Sequence, residues 1–211
     1  MGPLIEILFW AIVAAFVLWR LYSVLGEKTG HFMERPDPSY EEDEEPHVVR
    51  ATPKNTEDQL DPRTKEVVDV LKSADPSFDL TEFCDGAAAA FEMIVHAVAK
   101  EDFDTLKHLL SPALYEEFAE DIRQRQQRRE SLEVILVRLE PLEMLSASMK
   151  GAVAKIQVKI TSEQIHLLRN EQGQVIEGDS QQSLQVEDLW TFERDTRSSD
   201  PNWRLVEAES A

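Results

Sequence analysis

A run of 23 residues near the amino terminus, Pro3 to Leu25 (PLIEILFWAIVAAFVLWRLYSVL), contains only two charged side chains, Glu6 and Arg20. As a helix rising 1.5 Å per residue it spans about 35 Å, more than a hydrocarbon core of about 30 Å requires. Glu6 lies near one end, within reach of the headgroups. Arg20 lies near the other, where its stem can snorkel outward. Trp10, Trp19 and Tyr22 are the amphipathic aromatic residues of the run, and Trp19 with Tyr22 suits an interfacial belt. A cleaved signal peptide is the competing reading, but the leading MGPLIE carries no lysine or arginine and no small-x-small site follows. The run therefore predicts a transmembrane anchor over residues 1–26. Arg20, Lys28 and Arg35 cluster on its carboxyl side, which places the remaining chain on the cytoplasmic face of an inner membrane, in single-pass topology.

The next stretch, 27–74, reads as a flexible acidic linker. Between Glu27 and Glu66 it carries five prolines, the block Glu41-Glu42-Asp43-Glu44-Glu45, and a net charge of −6 from six bases and twelve acids. So few apolar residues cannot offset the entropy lost on ordering. Within it, 64–72 (TKEVVDVLK) has a short amphipathic pattern, with Val67, Val68 and Leu71 on one side. That pattern suits a helix lying on a membrane or one capping a domain.

Residues 75–208 read as one α+β domain. Asp79 with Glu82 makes a capping pair ahead of the stripe Leu80, Phe83, Ala87, Phe91, Ile94, Val95, Val98. A short helix follows Asp102, and Ser111-Pro112 opens another that ends among Arg123, Arg125, Arg128 and Arg129. Those arginines suit a solvated helix end or a site for lipid headgroups. After Ser131 the period changes to two. Residues 132–139 are apolar on both faces, as in a central strand. The turn Lys150-Gly151 then joins two arms of a hairpin whose second arm alternates from Ala152 to Thr161. Further strands are expected at 183–194 and 203–207. Helices followed by antiparallel strands predict helices packed on one face of a curved sheet.

Composition limits the chemistry. Against 22 bases stand 41 acids, a formal charge of −19, which opposes direct contact with nucleic acid. The single cysteine, Cys84, permits no internal disulfide, and its neighbours Glu82 and Asp85 disfavour a thiolate nucleophile. No phosphate-binding loop, nucleophile elbow or paired-histidine zinc motif occurs, so neither a metal nor another cofactor is expected. One residue stands out. On strand 183–194 the face Leu184, Val186, Trp190, Phe192 is apolar, and Asp188 falls among them. A carboxylate there is either paired, turned outward at a bulge, or functional. Arg194 is a candidate partner, and no histidine or second acid is visibly arranged beside Asp188.

The segments DPSFDLTEFCDGAAAAFEMIVHAVAKEDFDTLKHLLSPALYEEF (75–118) and VEDLWTFERDTRSSDPNWRLV (186–206) resemble the Tim44-like domain family. That family comprises the matrix-side subunit of the mitochondrial inner-membrane protein import translocase and bacterial membrane-anchored adaptor relatives. The resemblance implies a cone-shaped, nuclear-transport-factor-two-like fold with an apolar pocket between helices and sheet, and adaptor work rather than catalysis. Phe91, Ile94, Asp188, Trp190 and Phe192 are the residues expected to line such a pocket. The expected partners are the lipid bilayer and a protein client or translocase component. The long charged helical region that recruits the import chaperone in the mitochondrial form is missing, so the bacterial relatives fit better. Two alternatives accompany the adaptor: a small-ligand-binding protein or enzyme using Asp188, and a membrane tether for a large assembly such as a ribosome.

Overall fold

The computed structural model describes residues 49–50 and 60–210. The expected anchor, with Trp10, Trp19, Arg20 and Tyr22, lies outside the described residues, as does most of the acidic stretch before Leu60. Among the described residues no helix is long and apolar enough to cross a membrane.

Four helices form first. Helix α1, Pro62–Ala74, starts where Asp61 accepts hydrogen bonds from the backbone of Arg63 and Thr64, with Pro62 in its first turn. It buries Thr64, Val68 and Leu71 and packs on strand β3 below. The stretch 27–74 expected as linker therefore contributes helix α1 and the short strand Val49–Arg50 to the domain. An aspartate cap followed by proline starts the helix, and burial of Val68 and Leu71 at 1% exposure each holds it to the domain. Helix α2, Leu80–Lys100, opens with Asp79 accepting from the Glu82 backbone at 2.9 Å and buries Leu80, Phe83, Ala87, Phe91 and Ile94. Helix α3, Phe103–Leu109, and helix α4, Pro112–Gln127, follow, the latter capped by the Ser111 hydroxyl.

The sheet then closes the core. In chain order its strands are β1 (Val49–Arg50), β2 (Ser131–Leu139), β3 (Glu143–Lys150), β4 (Val153–Arg169), β5 (Val175–Glu177), β6 (Leu184–Asp195) and β7 (Arg204–Ser210). The spatial order is β1-β2-β4-β6-β7, with β3 and β5 also paired to β4. All pairings are antiparallel except the short parallel contact of β1 with β2.

β4 organises the sheet. Its 17 residues are long enough for β3 to pair with the first half and β2 with the second, on the same edge, while β6 runs along the other. Alternation is strict from Ala154 to Gln164, every even residue being buried against the helices. β2 is not the central strand that its apolar run predicts. Glu133, Val137 and Arg138 are exposed, and only Leu136 and Leu139 are buried. A bulge between Leu136 and Arg138 releases Val137 from the ladder, and only two residues of β1 flank the strand's other edge.

Candidate functional site

The helix-facing side of β4, β6 and β7 changes character along its length. At one end it is apolar. Phe91 of α2 lies 4.9 Å, ring to ring, from Trp190, which lies 6.3 Å from Phe192; Phe83 meets Phe192 edge-on at 6.0 Å. Phe91, Ile94 and Phe192 are 1% exposed and Trp190 5%, so these four expected pocket residues form the packed centre of the core.

Beyond Trp190 the same face becomes polar. Asp188 pairs in register with Ile160 on one side and Ser210 on the other, and it points inward with Trp190 and Phe192. It is 9% exposed, and the Ser210 hydroxyl donates to it at 3.0 Å. Arg194 is not its partner: that guanidinium binds Asp75 instead. Nor does a bulge turn Asp188 outward, since the irregularity on this pair of strands lies at Thr191/Phe192.

On β4 the even-numbered face continues past Ile160 into Ser162, Gln164 and His166. Ser162 and Gln164 are 1% and 3% exposed. The Gln164 amide donates to the Ser162 hydroxyl at 2.7 Å, and its carbonyl lies 2.7 Å from Nε2 of His166. Burial raises the Asp188 carboxyl above its ordinary range, while the Ser210 hydrogen bond and the His166 charge act the other way. Burial likewise lowers His166, against the pull of Asp188. Burial thus disfavours the charged form of both groups, and their mutual attraction opposes it.

The structure therefore brings His166 towards Asp188, which sequence reasoning did not foresee. A signal existed. Extending the alternation of Ile156, Val158 and Ile160 by three more pairs places Ser162, Gln164 and His166 on the face of Asp188. The arrangement offers an acceptor at Asp188, and a separate hydrogen-bonded run along β4 joins Ser162, Gln164 and the more open His166.

Two clefts of about 240 Å³ each also occur. One is bounded by Arg138, Glu140, Ser162, Glu163 and Ser183. The other lies beside Ser111, Arg194, Asp200 and Arg204 at the β6–β7 turn. The arginines ending α4 are engaged within the chain. Arg123 approaches Glu116 and Glu120, Arg125 donates to the Val98 carbonyl at 2.9 Å, and Arg128 and Arg129 pair with Glu130 and Glu171. The solvated helix end expected from sequence is thus partly an internal tie between α2, α4 and the β4–β5 turn. Cys84 is buried. Among the described residues no group of three histidine, cysteine or acidic side chains is placed to hold a metal ion.

The family model of the Tim44-like domain matches residues 64–210. No curated protein matches the sequence. Among solved structures, the intermembrane-space region of the chloroplast protein ARC6 is similar at 11% identity and a TM-score of 0.46, over 64% of this chain and 98% of that one. A putative dehydratase of the NTF2-like family from Streptomyces avermitilis is similar at 14% identity and a TM-score of 0.38, over 63% and 96%. A SEC-C motif protein from Rhodopseudomonas palustris follows at 16% identity and a TM-score of 0.31, over 58% and 77%. These likenesses are loose.

Proposed function

The chain belongs to the Tim44-like domain family, and on that premise we propose that it is a membrane-anchored, non-catalytic protein-binding adaptor. The match over 64–210 is the observation that carries this reading, because it spans α1 to β7 without interruption. The apolar run Pro3–Leu25 supplies the anchor, and the bases that follow it put the domain on the cytoplasmic face of an inner membrane. The acidic residues between anchor and domain form a tether that keeps the domain off anionic headgroups. Tethering raises the effective concentration of a client near the bilayer, so weak binding suffices there. The domain holds a client or a translocase component, in the manner of the bacterial relatives.

The test is made in cells with the full chain. A reporter active only in the cytoplasm, fused after Ala211, is expected to be active, and removal of residues 1–26 is expected to release a folded domain from the membrane. Photocrosslinkers at exposed sites such as Leu184 and Val175 are expected to trap a recurrent protein partner only in the anchored form. A silent cytoplasmic reporter, or a soluble full chain, would overturn the proposed topology.

A second reading has a specific observation behind it: Asp188 and the Ser162–Gln164–His166 run form a polar end to an otherwise apolar face. A small ligand with a hydrogen-bonding or cationic head fits that pattern, and Asp188 would serve it as acceptor or base. Asp188→Asn separates the two. An adaptor keeps most of its partner crosslinking, whereas a ligand site or enzyme loses its binding or turnover.

A further inference from the structure

Among the described residues β3 hydrogen-bonds on one side only, to β4. No described strand pairs with its other edge, and Glu143, Leu145, Ser146, Ser148 and Lys150 are all exposed. A free edge of eight residues presents a row of peptide groups to any other strand, and proteins usually blunt such edges with charge or a bulge. Here both devices are present, but the two end charges have opposite sign. Glu143 and Lys150 also differ from the charges around them. Arg138, Lys155 and Lys159 each pair with glutamates of the sheet, whereas among the described residues Glu143 and Lys150 make no ion pair.

The bulge at Leu145 leaves seven positions in the ladder: Glu143, Met144, Ser146, Ala147, Ser148, Met149, Lys150. Their central position is Ala147. Rotating the strand by half a turn about that residue sets Glu143 against Lys150, Met144 against Met149, and Ser146 against Ser148. Each of these pairs shares a face. Glu143, Ser146, Ser148 and Lys150 stand with Lys159, Gln157, Lys155 and Val153 on one side, while Met144, Ala147 and Met149 stand with the buried Val158, Ile156 and Ala154 on the other. A one-residue slip would oppose apolar to polar faces throughout.

We propose that β3 pairs antiparallel with β3 of a second copy of this chain, about a two-fold axis at Ala147, with Glu143 opposite the partner's Lys150 at both ends. The sheet then runs on through the pair, and each edge satisfies the other. A strand pair of this length buries less than the roughly 1,600 Å² of a standard interface, so the dimer is weak and concentration-dependent. The inference does not depend on the adaptor reading.

The experiment uses the purified full chain carrying Ala147→Cys under mild oxidation. Residues directly opposite across antiparallel strands have Cβ atoms about 4.5–5.5 Å apart, near enough for a disulfide after slight adjustment. A covalent dimer is expected. The unsubstituted chain, with Cys84 buried, and a chain with the exposed loop change Gln172→Cys serve as references. Adding Lys150→Glu to Ala147→Cys sets like charges together at both ends and is expected to cut dimer formation about tenfold. Adding Glu143→Lys as well restores the pairing and with it the yield. Circular dichroism checks that each variant stays folded; Glu143 and Lys150 are exposed ends of an edge strand, and Ala147 is half-buried at its centre. The proposal fails if Ala147→Cys yields no more dimer than Gln172→Cys, or if the charge-swapped chain is not rescued.

Discussion

The guanidinium of Arg194, on β6, binds the carboxylate of Asp75, in the turn that joins α1 to α2, across 119 residues of sequence. Both side chains are nearly closed off, at 12% and 10% exposure. Asp75 also accepts from the Ser77 hydroxyl at 2.6 Å, and Arg194 lies over the Trp203 ring with 5.8 Å to its centre. One contact thus fastens the first helix pair to the last hairpin of the sheet.

Removing one partner of a shielded ion pair leaves the other charge uncompensated. Arg194→Leu and Asp75→Asn are each expected to cost about 3 kcal/mol, measured by urea denaturation of the domain. The double variant is expected to cost clearly less than the two singles together, because the stranded charge is then gone. Additive losses would show that the contact contributes little.

Asp75 also sets an acid limit to stability. Its carboxyl is held below the ordinary range, first by the Ser77 hydroxyl and then, against the cost of burial, by the Ser77 backbone and Arg194. A group whose pKa is depressed by folding stabilises the fold above its unfolded value, about 3.9 for aspartate, and that contribution disappears as pH falls through the folded value. Thermal melts of the wild type are expected to drop across this acid window. Asp75→Asn is expected to start lower at pH 7 and to show a shallower drop. The helix-capping Asp61 and Asp102 shift in the same direction, so some slope remains in the variant.

Asp188 has the opposite sign. Burial raises its carboxyl, so ionisation opposes folding. Its penalty is absent below the unfolded value near pH 3.9, grows as pH rises through the folded value, and persists above it. Asp188→Asn keeps an acceptor for Ser210 and removes that penalty. The variant is expected to melt higher than wild type at pH 7 and to match it near pH 3. A lower melting point at neutral pH would mean that the charge is compensated by groups other than Ser210 and His166.

Gly178 is a backbone requirement rather than a loop filler. Its φ is +91°, and a Cβ there would lie 1.9 Å from the His166 carbonyl oxygen, a backbone atom of β4. Gly178→Ala is expected to destabilise by about 3 kcal/mol and to loosen the segment around β5. Gly151, at φ +63° in the β3–β4 turn, has open space where a Cβ would be, so Gly151→Asn is expected to cost well under half as much. Hydrogen exchange of the amides from 164 to 169 distinguishes a local loosening from a global loss.

Local chemistry was legible in the sequence wherever one short segment specified it. Asp79 before its apolar stripe and Ser111-Pro112 each act through groups within a few residues and occur where expected, while the hairpin turn expected at Lys150-Gly151 falls one residue on, at Gly151-Ala152, with Lys150 paired to Val153. The inward face of Asp188 follows from the period of β6 alone. The family was legible too, because two long blocks of sequence carry it.

Tertiary structure decided the rest, and in each case the deciding partner lies far away in sequence. The stripe of α1 could suit a membrane or a domain; contact with β3 resolves it, and no feature of 64–72 specifies that strand. β2 reads as central from its composition, yet its burial depends on what flanks it, and only two residues of β1 and one edge of β4 do. Arg194 chose Asp75 over Asp188 because the turn after α1 arrives beside it. His166 came near Asp188 because β4 runs on past Ile160 and the Gln164 carbonyl meets its ring. A residue's period states which way it points, but only the assembled chain determines what it meets there.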